Sequence, residues 1–312
     1  MLPQLCYRAD RRSLCFLLAA LGMLLVPHFM PWPGWLAQHT ATTLVQSSLT
    51  ILWLAFASLF CFIASIINHN HMHCPMFRGK WGNFACNLLL SLARGHTATG
   101  IVVPHNMNHH VQAGNEQDWI RPALAGQGRG WWRLLRYVLL ASLEMLRQRV
   151  KPDAPKLPRR YRSSLRLEKA FLYLAITTLL LHDWQVFLLC NLLPWLLGLA
   201  MLVGVNLLQH DDCTPSVHSA DGPHAHTPSG NHPGGSRDFI GKAGNWLFFN
   251  NGYHNAHHLH PRAHWSTLPA LHERMRDEWM DAPVEQASIL AYLWRFGWMW
   301  HATKNSRTIE NF

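Results

Sequence analysis

The stretch Leu44 to His73, LVQSSLTILWLAFASLFCFIASIINHNHMH, decides the fold. Residues 44–67 carry no Asp, Glu, Lys or Arg and supply the roughly 17 to 25 apolar residues that a helix needs to cross a bilayer. The stretch then closes on His69-Asn-His-Met-His73. Four residues separate its outer histidines, so a continuing helix presents two imidazoles on one face just where the span leaves the hydrocarbon. His71 points elsewhere. A neutral imidazole is a good ligand for iron, zinc, copper or nickel, so this spacing alone selects no metal.

Working outward, three further segments are apolar enough to span, near 13–27, 168–182 and 184–208. The first follows Arg8, Arg11 and Arg12 as a signal peptide would, but no small-residue cleavage site follows it, and it reads as a retained anchor. The segment between the first two spans has no Lys or Arg. The segment before the third is dense with them, including Arg147, Arg149, Lys151, Arg159, Arg160 and Arg162. The positive-inside rule therefore predicts cytoplasmic termini, with 68–167 and 209–312 also on the cytoplasmic side. The third and fourth spans form a hairpin with a tiny outer loop at His182 and Asp183. Residues 131–150 interleave basic and apolar residues as an interfacial helix does. The apolar but interrupted stretch from Asn87 to Val103 predicts a shallow or re-entrant helix, and the Gly, Pro, Ser and His of 216–236 predict a mobile loop.

Composition supports a membrane protein: about half of the 312 residues are apolar, only 14% are charged, and the two kinds are segregated into blocks. The net charge of +10 could indicate nucleic acid, but no nucleic-acid module is present and the basic residues flank apolar spans. The seven cysteines are scattered and form no Cys-x-x-Cys pair, which predicts reduced thiols and no zinc ribbon.

Two more histidine clusters follow the first. His105-Asn-Met-Asn-His109-His110 again places two histidines at i and i+4, with an adjacent third able to reach a neighbouring ion, and Gly114-Asn-Glu-Gln-Asp118 follows it. In His254-Asn-Ala-His257-His258, spacing i, i+3, i+4 puts all three on adjoining helix faces. Three clusters predicted on one side of a membrane supply too many donors for a single tetrahedral zinc ion, so two ions are expected. Soluble di-iron bundles use Glu and Glu-x-x-His from core helices, a pattern not seen here.

The order His-x3-His, His-x3-His-His, His-x2-His-His resembles the membrane fatty-acid-desaturase and hydroxylase superfamily over about 44–269. Asn206-Leu-Leu-Gln-His210 resembles the Asn-x3-His element of the same proteins, and Asn250 to Trp265 is similar to the third box of bacterial members. The resemblance implies one all-α integral-membrane domain over 1–312. Four transmembrane helices would carry a cytoplasmic helical cap that holds the histidine boxes, in a bacterial inner membrane. It also implies two iron ions on His69, His73, His105, His109, His110, His210, His254, His257 and His258, with Asn206 supporting. Dioxygen is the implied co-substrate. The fatty acyl substrate would be linked to lipid, coenzyme A or a carrier protein, and electrons would come from a separate donor such as a ferredoxin or a cytochrome b5-like protein.

The implied reaction is insertion of a double bond into the acyl chain. Hydroxylation, acetylenic bond formation and oxidative decarboxylation to a terminal alkene are alternatives on the same scaffold, and carotenoid ketolases and hydroxylases share the box pattern. A non-catalytic membrane metal-binding or transport protein is the alternative of another class, although transporters hold ligands near the midplane rather than at span ends. His71 is the weakest alternative ligand. His96, His218, His224, His226, His260 and His264 match no box position and are expected to face solvent or support the ligands. His232-Pro-Gly-Gly235 resembles the haem signature of cytochrome b5 without a domain's worth of core around it. Asp118 and Glu116 are candidates to orient ligand imidazoles through the distal ring nitrogen.

Overall fold

The computed structural model describes residues 4–30, 43–128, 130–213, 235–276 and 284–298. The expected loop at 216–236 lies outside the described residues except for Gly235 and Ser236, as do His218, His224, His226 and His232. The described chain is helical apart from an isolated bridge and one pair of two-residue strands. It divides into two compact units, 1–102 with 156–202, and 103–155 with 203–312, so the chain passes between them three times.

The first unit is built from helices Asp10–Leu25, Thr43–His73, Lys80–Arg94 and Arg159–His182, with the start of Leu193–His210. Leu17, Leu24, Ile63, Ile66 and Ile67 are buried between them, while Ile51, Leu52, Phe56, Leu181 and Leu196 are exposed. Such a surface suits lipid better than water. Helix approach is close at Gly198, where an added Cβ would lie 2.7 Å from the Cys61 side chain and 2.9 Å from the Phe62 backbone nitrogen. The Lys80–Arg94 helix stops at Gly95, whose left-handed backbone (φ 70°) sits against the Trp195 ring and leaves no room for a side chain. The chain therefore breaks into a 3-10 turn at Ala98–Ile101 rather than running on through Val103. Glu168, fully buried, ties these pieces together. Its carboxylate accepts from Thr99 N (2.8 Å) and Oγ1, Ser164 Oγ (2.7 Å) and Asn87 Nδ2 (3.3 Å). A buried carboxylate persists only when so many donors replace its water.

Among the described residues, three segments are long and apolar enough to cross a membrane: Asp10–His28, Ser47–His73 and Trp184–His210. Helix Arg159–His182 has the length, but Arg159, Arg160, Arg162, Arg166, Glu168 and Lys169 charge its first half. The turn expected at His182 and Asp183 is present. Asp183 caps the following helix, its Oδ1 accepting from the N–H of Gln185 and Val186 at 3.0 Å.

The second unit holds the amphipathic helix Trp131–Arg149, the end of Leu193–His210, and the short helices His254–Leu259 and Leu268–Arg276. Strand Asp238–Phe239 pairs in parallel with Glu285–Gln286. The last carbonyls of Leu193–His210 need partners. Arg237 Nη1 supplies one by donating to Leu208 O at 2.8 Å, and Asp211, one residue past the helix, takes both ends of the Arg133 guanidinium.

Candidate metal centre

Within the second unit, His109, His210, His254 and His258 are all buried, and each offers a ring nitrogen within 4.8 Å of the others. His254 Nε2 lies 3.0 Å from His210 Nε2 and 3.1 Å from His258 Nε2. Neutral imidazole has one N–H, so the nitrogens facing away decide what these atoms are. His109 Nδ1 lies 2.9 Å from the Asp118 carboxylate and His210 Nδ1 lies 3.2 Å from the Gly235 carbonyl. Both partners only accept, so both Nδ1 atoms carry the proton and both Nε2 atoms present lone pairs. The buried His109 Nε2 has no hydrogen-bond partner among the described residues. With its proton on Nδ1, His254 Nε2 would bring a further lone pair to such distances, and lone pairs so close repel unless a cation lies between them. With metal–nitrogen bonds of about 2.1 Å, ligands at right angles are about 3.0 Å apart, which these spacings match. The donor set therefore fits a transition-metal ion.

Electrostatics agree. Burial holds the His258 imidazole well below its ordinary pKa, and the surrounding imidazoles add to the effect, keeping its ring neutral as a ligand must be. Burial pushes the Asp118 carboxyl up, but His109 and the N–H groups of Ile120 and Gly114 hold it on balance below the usual range. Asp118 is thus an ionised carboxylate behind the ring of a candidate ligand, His109. Glu116 is exposed.

A second trio, His105, His110 and His257, also has its donor atoms within 4.8 Å, with His110 Nε2 3.0 Å from His105 Nε2 and 3.1 Å from His257 Nε2. Here the structure pairs histidines differently from the i, i+4 expectation. Val102–His109 is a π-helix, in which residue i bonds i+5, so His105 faces His110 while His109 joins the other group. The third box sits on a regular α-helix, and His254 and His258 share a group as spacing i, i+4 predicts.

In the first unit, His69 and His73 stand together at the end of Thr43–His73, ring centroids 4.9 Å apart. His71 between them is committed elsewhere: its Nδ1 accepts from the Met76 N–H at 3.1 Å. Back in the second unit, Asn206 gives its amide N–H groups to Ile120 O (3.0 Å) and Tyr137 Oη (2.7 Å). His264 is buried, its Nδ1 2.8 Å from Ser266 Oγ.

Sequence reasoning missed His272. It is buried beneath the third box, with Nδ1 3.2 Å from Asp238 Oδ2 and Nε2 3.1 Å from Glu285 Oε1. Asp238 Oδ1 in turn accepts the Asn255 N–H at 2.9 Å, inside the His254–Leu259 helix. No spacing marks this network, because its members come from four separate segments.

None of the curated proteins matches the chain. A family model described as "Fatty acid desaturase" matches residues 46–290, which takes in all three boxes and His210. With that match over most of its length, and with three helices among the described residues able to cross a membrane, this chain belongs to the fatty acid desaturase family of membrane oxidoreductases.

Proposed function

We propose that the protein is an oxygen-dependent di-iron desaturase that introduces a double bond into a fatty acyl chain. The observation that carries this reading is the convergence of His109, His210, His254 and His258, with His109 backed by Asp118. These four would hold one ion. His105, His110 and His257 would hold the other together with His69 and His73, the last two assigned from the family's box order. Asn206 would support the site through its side-chain oxygen. Two iron ions, when bound, supply the dioxygen-activating redox chemistry that no side chain provides.

The chain's own residues do the rest. Asp118 keeps the proton on His109 Nδ1 and the lone pair on Nε2, and the Gly235 carbonyl does the same for His210. Burial of the four-histidine group excludes water from it. Family membership supplies the general substrate class, a fatty acyl chain, and the need for an electron donor. We assign the donor role to a separate ferredoxin or cytochrome b5-like protein, because His232-Pro-Gly-Gly235 stands in too short a segment to form a haem domain. In this reading residues 1–312 form one functional domain. The apolar half of Arg159–His182 is the fourth span, and the basic segments put the termini and the boxes on the cytoplasmic side of a bacterial inner membrane.

The test is mass spectrometry of lipids and volatiles from cells that express the chain and are fed a deuterated fatty acid. Loss of two hydrogens with the carbon count intact is expected. Gain of one oxygen, or loss of the carboxyl carbon as a terminal alkene, would replace the proposed reaction with hydroxylation or decarboxylation.

A further inference from the structure

Helix Trp131–Arg149 carries an apolar stripe on its outer face. Trp132, Leu135, Leu139, Leu143, Leu146 and, just past its end, Val150 recur at intervals of three and four, and their exposure runs from 51% for Leu143 to 82% for Val150. At 100° per residue all six fall within about 80° of arc, opposite the fully buried Tyr137 and Ala141. The core-facing side is therefore already used, and the stripe is a second apolar face. Single exposed leucines need no explanation, but a continuous row along a whole helix marks a surface for something apolar.

Its borders say what that is. Arg136 and Arg147, both exposed, run along one edge of the stripe. The helix's one acidic residue, Glu144, lies on the side turned away from it, with its side chain 14% exposed and a carboxylate oxygen 3.7 Å from Arg147 Nη1, a long pair that leaves the Arg147 side chain 74% exposed. Helix Ile289–Trp298 extends the surface from the same unit. Its Gly297 lies against Trp131, where a Cβ would meet the indole at 2.3 Å, and its exposed residues include Leu290, Trp294 and Arg295. An apolar stripe, exposed indoles beside it and exposed arginines along its edge, with the helix's one acid turned away from the stripe, are the features of a helix lying in the headgroup boundary of an anionic leaflet.

We propose that Trp131–Arg149, with Trp294 of the neighbouring helix, is a membrane-interface surface that lies in the plane of an anionic bilayer leaflet. Its leucines sit at the acyl boundary and Arg136 and Arg147 at lipid phosphates. The proposal rests on the chain being a membrane protein and is independent of the iron and desaturation reading.

The test places benzoylphenylalanine at Leu139, or separately at Trp132, in the full chain. The protein is reconstituted in nanodiscs of phosphatidylcholine with phosphatidylglycerol, and Glu273→benzoylphenylalanine on an exposed position of another helix serves as reference. Photolysis is expected to give lipid adducts several-fold more often from 139 and 132 than from 273. The double variant Arg136→Gln, Arg147→Gln should lower that yield. Adducts to the chain's own residues 299–312, to a second copy or to another protein would overturn the proposal. So would a lipid yield no higher than from position 273.

Discussion

The two histidine groups of the second unit differ in what stands behind their rings. In the group of His109, His210, His254 and His258 every residue is buried, His109 is fixed by Asp118 and His210 by the Gly235 carbonyl. In the trio, His257 is buried but His105 and His110 are only half-buried. The first group is set by the protein before a metal arrives, and its geometry is a property of the fold. The second is nearer solvent, and more of its geometry would be left to an ion bound there. Equal donor chemistry can thus be held with unequal rigidity, and the variants below read that inequality.

The largest effect is expected from His254→Ala or His109→Ala. Each opens the rigid group, and product formation should fall by more than about 100-fold, beyond the range for loss of an outer partner. Full activity in either would break the ligand assignment. His105→Ala should also inactivate, but its cavity lies nearer solvent, so added imidazole should restore part of the activity there and none in His254→Ala. Equal rescue, measured as product per iron, would erase the distinction between the groups. Asp118→Asn keeps the shape behind His109 and removes the charge, and should cost 10- to 100-fold in activity or metal affinity by titration.

A smaller effect is expected at His272. Burial works against its charged form, but Asp238 and Glu285 outweigh that and raise its pKa above the ordinary value. Its stabilising contribution is therefore complete below the unfolded value of about 6.5 and is lost as pH rises through the higher folded value. His272→Gln should destabilise the protein by about 1–3 kcal/mol at about pH 6 and by less at about pH 9, read from thermal unfolding in detergent. An equal loss at both would remove the charge from the account. His224→Ala, outside the described residues, should be nearly silent in activity.

Three of the four expected spans and the pairing within the third box were legible because each is a local signal. The charge-free run of 44–67 and the i, i+4 spacing of His254 and His258 are both preserved in regular helices. What sequence could not show depends on departures from regular winding or on distant partners. The π-helix at Val102–His109 separates His109 from His105, although α-helical spacing would have joined them. Asp118 was signalled by its nearness to the second box. His272 was not, since Asp238 and Glu285 lie 34 and 13 residues away in the chain. Arg159–His182 shows a further limit. Its apolar half suggests a span, yet the helix continues back through charged residues that ordinary hydropathy would exclude, and Glu168 among them is buried and fully occupied by donors.

The most direct test of the central claim is the iron content of the purified full-length protein, measured beside His210→Ala by elemental analysis with Mössbauer spectroscopy. The account predicts two irons per chain in the parent, and in the variant about one, left on the trio side and retained because its ligands are separate. A parent that carries zinc or a single iron, or a His210→Ala chain that keeps both irons unchanged, would contradict it.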